Sequence, residues 1–404
     1  MSDRRFMAHF LPLSVVSGIT IGLGKVVTTL FAIDLGATPF QIGVIGAAES
    51  VGMILVTLPA GFIIARYGAR GIYFASSLGP MLINLVMPLA TGWAALAGAR
   101  WLIGLCIPFR IVSMNSSFLE RLRGAGETRG GWYRGSQLAG MAILGPATAG
   151  VLVAEAGISQ AFFIVAALFG IMAVFSLSFM PARQSGDAGS GGFLAELGAL
   201  LGNRAIAESC VVEFLSSATG VLFSTFILLL AAALPPLTKE DGITVLLVQG
   251  VSAVAFLFLS GKLVARLGRG SVYGVALGLA ASALLLLGLA HGFVGLAAGA
   301  VLLSAASALV HLVNVRLLAG VSGGKSKAAG LYNLASMTGS SAGALGGGLL
   351  TKLVPLQSVF LLWLPILGFA AGAALLRHRI TRPLTPQEVL PLTSPIASSP
   401  AWCH

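Results

Sequence analysis

Apolar runs about as long as a membrane is thick recur along almost the whole chain. A spanning helix needs about 20 apolar residues. Up to Arg379 the sequence divides into segments of roughly 32 residues, each a span plus a short loop. Spans are predicted at His9–Phe31, Phe40–Ile64, Ile72–Ala90, Ala94–Leu119, Gly135–Ala156, Ala161–Met180, Ala205–Ala232, Ile243–Ala265, Val272–Ala290, Phe293–Leu317, Ala328–Leu350 and Val359–Leu376. Charge is scarce: 9% of residues are charged and 57% hydrophobic, with mean hydropathy +0.96. A soluble domain carries about 25% charged residues. A chain this apolar lacks the polar surface to cover itself in water, so its solvent is lipid. The expected fold class is an all-α membrane protein of twelve transmembrane helices. The first span is long and carries Lys25, which marks a retained helix and not a cleaved leader.

The net charge of +11 invites a nucleic-acid reading, and its placement removes it. With the N-terminus in the cytoplasm, nineteen of the 24 Lys and Arg fall in or beside cytoplasmic segments, among them Arg66, Arg70, Arg121, Arg123, Arg129, Arg134, Arg266, Arg269, Lys325, Lys327 and Arg377. Lys239 and Lys352 fall in outer loops, and Lys25, Arg100 and Arg110 lie inside spans. Such a bias sets both termini inside. The expected place is a bacterial inner membrane, with membrane lipid as surroundings, a small-molecule solute as partner, no nucleic acid and a monomeric state. Cys106, Cys210 and Cys403 have no framework spacing, which argues against disulfides and thiolate metal sites.

The chain repeats itself at an offset near 200. Gly61-x-x-x-Ala65-Arg66-x-Gly68 returns as Gly261-x-x-x-Ala265-Arg266-x-Gly268. Glu49 falls on Gln249; one residue fewer puts Asn115 on Asn314 and Gly131-x-Tyr133 on Gly330-x-Tyr332. The predicted organisation is therefore two pseudo-symmetric six-helix halves, residues 1–180 and 205–379. They are joined by a Gly-rich cytoplasmic linker over 181–204 and followed by a disordered Pro-, Ser- and Thr-rich cytoplasmic tail over 380–404. Within the linker, Phe193–Leu201 reads as a short amphipathic surface helix. Parallel repeats of six spans are a transporter design with the solute site near mid-membrane between the halves.

Three motifs resemble the major facilitator superfamily. The loop after the second span, Gly61-Phe-Ile-Ile-Ala-Arg66-Tyr-Gly68-Ala-Arg70, resembles that family's signature loop. Leu96-x-x-x-Arg100-x-x-x-Gly104 is similar to its buried-arginine motif. Gly140-x-x-x-x-Gly145-Pro146-x-x-x-Gly150 resembles, with imperfect spacing, the Gly-Pro motif found mainly in proton-coupled exporters of the drug/proton antiporter type. One departure stands out. Ala65 and Ala265 occupy positions where the family usually has an acidic residue thought to latch the cytoplasmic side, which puts the usual lock in doubt. The resemblance assigns gating and packing to Gly61, Arg66, Gly68, Arg70, Gly145, Pro146, Gly150, Gly261, Arg266 and Gly268, and implies that the first, fourth, seventh and tenth spans line a central cavity.

Ionisable groups inside spans are expensive, so each is a site hypothesis. Lys25, Arg100, Arg110, Glu213 and His311 lie on those four spans, and Glu49 lies on the second. At 1.5 Å per residue, Lys25, Glu49 and Arg100 form a layer roughly 9–13 Å below the outer helix ends. Arg110, Glu213 and His311 form another about 9–12 Å from the cytoplasmic ends, where Arg110 and Glu213 are expected to pair across the halves. The bland alternatives stay open: a snorkelling Lys25, a structural Arg100, polar packing at Glu49, a static Arg110–Glu213 pair, a satisfied core His311. Glu208 and Arg316 read as a surface or gate pair. Gly22-Leu23-Gly24-Lys25 lacks the glycine and hydroxyl spacing of a phosphate loop, and nothing else resembles an ATP-binding domain. No enzyme activity, cofactor or metal is expected. The resulting expectation is a secondary transporter working by alternating access, most nearly a proton-coupled exporter, with Glu49 or Glu213 carrying the proton. Its rivals are a proton-coupled importer, a lipid flippase and a non-transporting receptor.

Overall fold

The computed structural model describes residues 3–121, 133, 135–180, 203–319 and 325–380. The linker over 181–202, the tail beyond 380 and the basic loop holding Arg123, Arg129 and Arg134 lie outside the described residues. The described chain is helical. The helices group into α1 (Asp3–Asp34), α2 (Pro39–Tyr67), α3 (Ala69–Val86), α4 (Trp93–Arg121), α5 (Gly135–Ala156), α6 (Ile158–Phe179), α7 (Arg204–Ala232), α8 (Lys239–Leu259, continued by Gly261–Arg266), α9 (Arg269–Gly288), α10 (Phe293–Ala319), α11 (Lys325–Leu350) and α12 (Leu356–Ile380). Ten of them, α1 to α10, are long and apolar enough to cross a membrane. The expectation of twelve spans exceeds that by α11, whose Ser, Thr and Gly dilute its hydropathy, and α12, whose described apolar stretch Leu356–Phe369 is short.

Local chemistry sets the helix starts. Thr38 opens α2 with a reciprocal cap: its N–H donates to Gln41 Oε1 at 2.8 Å and its Oγ1 accepts from Gln41 N–H at 3.4 Å. Thr238 opens α8 in the same way with Asp241. The caps thus repeat at the offset already seen in the loops. Between α2 and α3, Gly68 turns the chain at φ 85°, a left-handed backbone that a side chain would strain. Its counterpart Gly268 has φ −65° and needs no glycine.

Helices α1–α6 pack on one another, as do α7–α12. Lipid supplies no hydrophobic drive for association, so close approach at small residues matters. Gly18, Gly22, Gly140 and Gly145 bring the backbones of α1 and α5 into contact; Gly339 and Gly343 do the same for α11 on α7, and Gly347 makes room for the Leu222 and Phe226 side chains. The two halves meet at the end where α1 stops and α2 begins. There Lys239 donates to Asp34 at 2.8 Å, Lys352 lies 3.6 Å from the centre of the Phe40 ring, and Gly43 fits against Ala344 and Gly348. Farther along, Gly250 of α8 sits on the Ala142 carbonyl of α5, and Thr57 Oγ1 is 3.3 Å from Met337 Sδ.

Candidate functional site

Five residues of α5, Gly140–Leu144, are wound as a π-helix just before Gly145-Pro146. Proline has no N–H, so the Ala142 carbonyl loses its α-helical donor. That carbonyl is the one covered by Gly250 of the opposite half. Gly145 has no room for a side chain: a Cβ there would lie 2.7 Å from the Leu23 nitrogen. Gly150 is looser, with Ile243 Cγ2 at 3.5 Å as its nearest neighbour, so tight packing ends at Gly145.

In the first half, Glu49 and Arg100 form an ion pair whose side chains are only 4% and 8% exposed. The pair is held by glycine. Gly104, the last residue of the buried-arginine motif, rests on the Glu49 backbone, and Gly52 rests on Trp101. The motif therefore brings α4 onto α2 at the height where the carboxylate waits. Lys25 is exposed although Gly22, Leu23, Gly24, Val26, Val27 and Thr28 are all buried. Arg110 is 2% exposed. Its Nη2 lies 3.4 Å from both Ser17 Oγ and Met172 Sδ, and its guanidinium carbon sits 4.6 Å from the Phe169 ring centre and 5.6 Å from that of Tyr73. Ring faces stabilise a cation by about 0.5–2 kcal/mol. Desolvating an ion costs several kcal/mol, so these contacts do not offset it.

The second half puts a carboxylate where the first has none. Glu213 Oε2 accepts from Tyr332 Oη at 2.5 Å and Asn314 Nδ2 at 3.1 Å, and Oε1 accepts from Ser217 Oγ at 3.2 Å. Asn314 Oδ1 is in turn held by Tyr273 Oη and Ser209 Oγ, and Ser217 shares a hydrogen bond with Ser336. The network ties α7, α9, α10 and α11 together. His311 Nδ1 is 3.5 Å from Tyr332 Oη, and its ring is exposed. The first half repeats the frame without the acid: Tyr133 Oη donates to Asn115 Oδ1 at 2.8 Å, and Ser14, the counterpart of Glu213, bonds the Tyr133 carbonyl.

Two expected pairs are corrected. Glu213 does not pair with Arg110: hydroxyl and amide donors of its own half surround it, while Arg110 points into the core of the first half. Helices α4 and α7 do put them on opposite halves, but α4 turns Arg110 inward between α1, α3 and α6. Glu208 pairs with Arg269 at 2.8 Å and not with Arg316, because the start of α9 lies beside the start of α7. Within the loop motif, Arg66 covers the Tyr67 ring at 5.4 Å, and Arg70 Nε donates to the Met180 carbonyl at 2.6 Å, tying the start of α3 to the end of α6. Around Gly61, Gly261 and Gly268 there is space for a Cβ among the described residues, and Arg266 closes the last turn of α8.

Tyr332, Asn314, Tyr273 and Ser217 went unread in the sequence because none is ionised near neutral pH. The signal was present: Asn115/Asn314 and Tyr133/Tyr332 mark the repeat, and repeated polar residues inside spans need partners. Two helical bundles meeting at one end, with charges and a hydroxyl network buried in their midst, define a membrane carrier of solutes. The chain belongs to the Major Facilitator Superfamily, whose family model it matches over residues 10–253. No curated protein sequence matches it. Among solved structures it resembles the nucleoside transporter NupG, with TM-score 0.76 and 17% identity over 93% of this chain and 99% of that one. A single-substitution variant of NupG gives 0.78 and 16% over 92% and 99%. A bacterial homolog of the human lysosomal transporter Spinster, inward-facing and unoccupied, gives 0.72 and 14% over 94% and 98%. These likenesses show the fold. With the family match they make the chain a transporter and not an enzyme.

Proposed function

We propose that the chain is a proton-coupled secondary transporter of a small solute, exporting by alternating access, with Glu213 as the proton carrier. The observation behind this is the setting of Glu213. It is a carboxylate buried within the spans, and its partners are neutral donors. Glu49, the other deep carboxylate, is already neutralised by Arg100. A buried carboxylate without a cation is stabilised only by the hydrogen bonds it accepts, so changing those partners lets it take up or release a proton. The exposed His311 beside Tyr332 offers a way in from the space between the halves. With both termini cytoplasmic, the joined end at Asp34 and Lys239 faces outward, and this state is closed to the outside. Export is favoured by the Gly145-Pro146 segment and its contact with the opposite half. The solute named for NupG is not carried over at this identity.

The test uses proteoliposomes loaded with a pH-sensitive dye and challenged with a panel of solutes. Wild type is expected to move protons opposite to the solute that it carries. Glu213→Gln should keep solute exchange and lose proton movement. Protons moving with the solute would make the chain an importer, and undiminished proton movement in Glu213→Gln would exclude this residue as the carrier.

A further inference from the structure

The charges of the first half do not balance. Arg100 is matched by Glu49, and among the described residues no carboxylate reaches Arg110. The Arg110 guanidinium is buried; among the described residues Nη2 touches an oxygen and a sulfur at 3.4 Å, and Nε has no partner. Arginine does not escape by losing its proton. Buried charges are paired or bind an ion. Beside the guanidinium is a small cavity, with room for about one water-sized body, whose lining includes Arg110, Arg100, Glu49, Asn84 and Thr20. Asn84 spends one amide hydrogen on the Pro80 carbonyl at 2.7 Å and keeps the other. Thr20 gives its hydrogen to the Ser17 carbonyl at 2.9 Å. For an anion the Glu49 carboxylate and the Thr20 oxygen are repulsive, and Arg100 neutralises the first. The cavity carries one net positive charge.

The repeat shows that the frame does not need this charge. Shifted by 199 residues, Thr20 falls on Thr219 and Ile107 on Ala306, and both line a similar cavity in the second half that contains no charged residue. Arg110 corresponds to Leu309, and Asn84, at an offset of 200, to Leu284; neither lines that cavity. The second half thus builds its cavity with no charge at these positions.

We propose that the cavity beside Arg110 binds one small monatomic anion of halide size. It is held by Arg110 Nε and the second Asn84 amide hydrogen, against the Phe169 ring.

The test is thermal unfolding of the purified full-length protein in detergent, followed by tryptophan fluorescence. Sodium HEPES, whose anion is too large for the cavity, keeps ionic strength constant. Chloride and bromide are titrated in one arm; formate and acetate, too large for the cavity, are the size controls in the other. Wild type should show a saturable rise in unfolding temperature with the halides. Arg110→Gln should lose it, and Asn84→Leu should bind about tenfold more weakly. A shift with carboxylates alone overturns the proposal. If Arg110→Gln does not fold, Arg110→Lys and Asn84→Leu decide: the first should keep part of the shift and the second should weaken it. No shift in wild type with either halide, or an equal shift in every variant, overturns the proposal. Because the readout is binding, a protein that moved no solute in liposomes would still show it.

Discussion

Glu49 and Arg100 illustrate how a buried pair is to be weighed. Removing one partner of such a pair leaves an uncompensated charge and costs about 3–5 kcal/mol. Replacing both is often neutral. The second half carries Gln249 and Ala300 at or beside the matching positions, so the fold tolerates that combination in the other bundle. Glu49→Gln alone and Arg100→Ala alone are therefore expected to lower abundance and unfolding temperature. The double substitution should recover most of both. Unfolding curves in detergent for the three variants check this, and a double variant no better than the worse single one would count against the ion pair. At this scale the sequence was informative about which groups are buried and poor about their partners. Arg110 and Glu213 lie on helices of opposite halves, but helical rotation turns Arg110 into its own bundle. Depth is a matter of counting residues; rotation is set by glycine contacts between helices that a single chain does not reveal.

At the scale of the helix, α5 is the exceptional element. Its π segment and Pro146 free the Ala142 carbonyl, and Gly250 covers it from the other half. Gly250→Ala has only backbone to push against, so it should part the halves and raise the share of molecules open at the Asp34 end. Gly145→Leu should instead separate α5 from α1 and stop cycling at normal abundance. Labelling of a cysteine placed near the outer end of the cleft reads the first effect, and flux at matched protein amounts reads the second. Full transport by Gly145→Leu would show that the α1–α5 contact yields. Helix positions themselves were legible: apolar length found α1 to α10 within a few residues. Pro146 marks a loosened helix by its missing donor, but the form of the break was not legible. The π segment leaves no hydropathy trace, because Gly140–Leu144 is as apolar as its neighbours.

For the whole molecule, the joined end is the feature to test. Asp34 and Lys239 connect the halves across the cleft mouth, with side chains 44% and 38% exposed. A pair this exposed contributes at most about 1 kcal/mol, so it guides closure more than it enforces it. Cysteines at both positions, joined by a short crosslinker, should abolish flux, and cleaving the linker should restore it. Flux unchanged by crosslinking would mean that this end never opens. The placement of the ends is separately testable. With both termini inside, cysteines at Ser190 and Ser399 should resist an impermeant reagent applied to intact cells, and labelling of either reverses the assignment. The repeat made the two-bundle plan readable from Gly61, Arg66 and Gly68 against Gly261, Arg266 and Gly268. The state of closure was not readable, because it depends on contacts between the halves, such as Lys239 with Asp34, that the repeat does not reveal.

The Ala142 carbonyl adds one more consequence. In the closed state it is shielded from water by Gly250 and lacks its helical donor. Once the halves separate, water can solvate it. Closure therefore carries a small hydration penalty at the middle of the interface, and parting there recovers it without breaking an N–H···O bond. Salt screens exposed charges, while a dehydrated carbonyl is indifferent to it. Ionic strength should thus loosen the mouth at Asp34 and Lys239 and leave the push from Ala142 unchanged, so that a carrier in brine spends more of its cycle open at the Asp34 end.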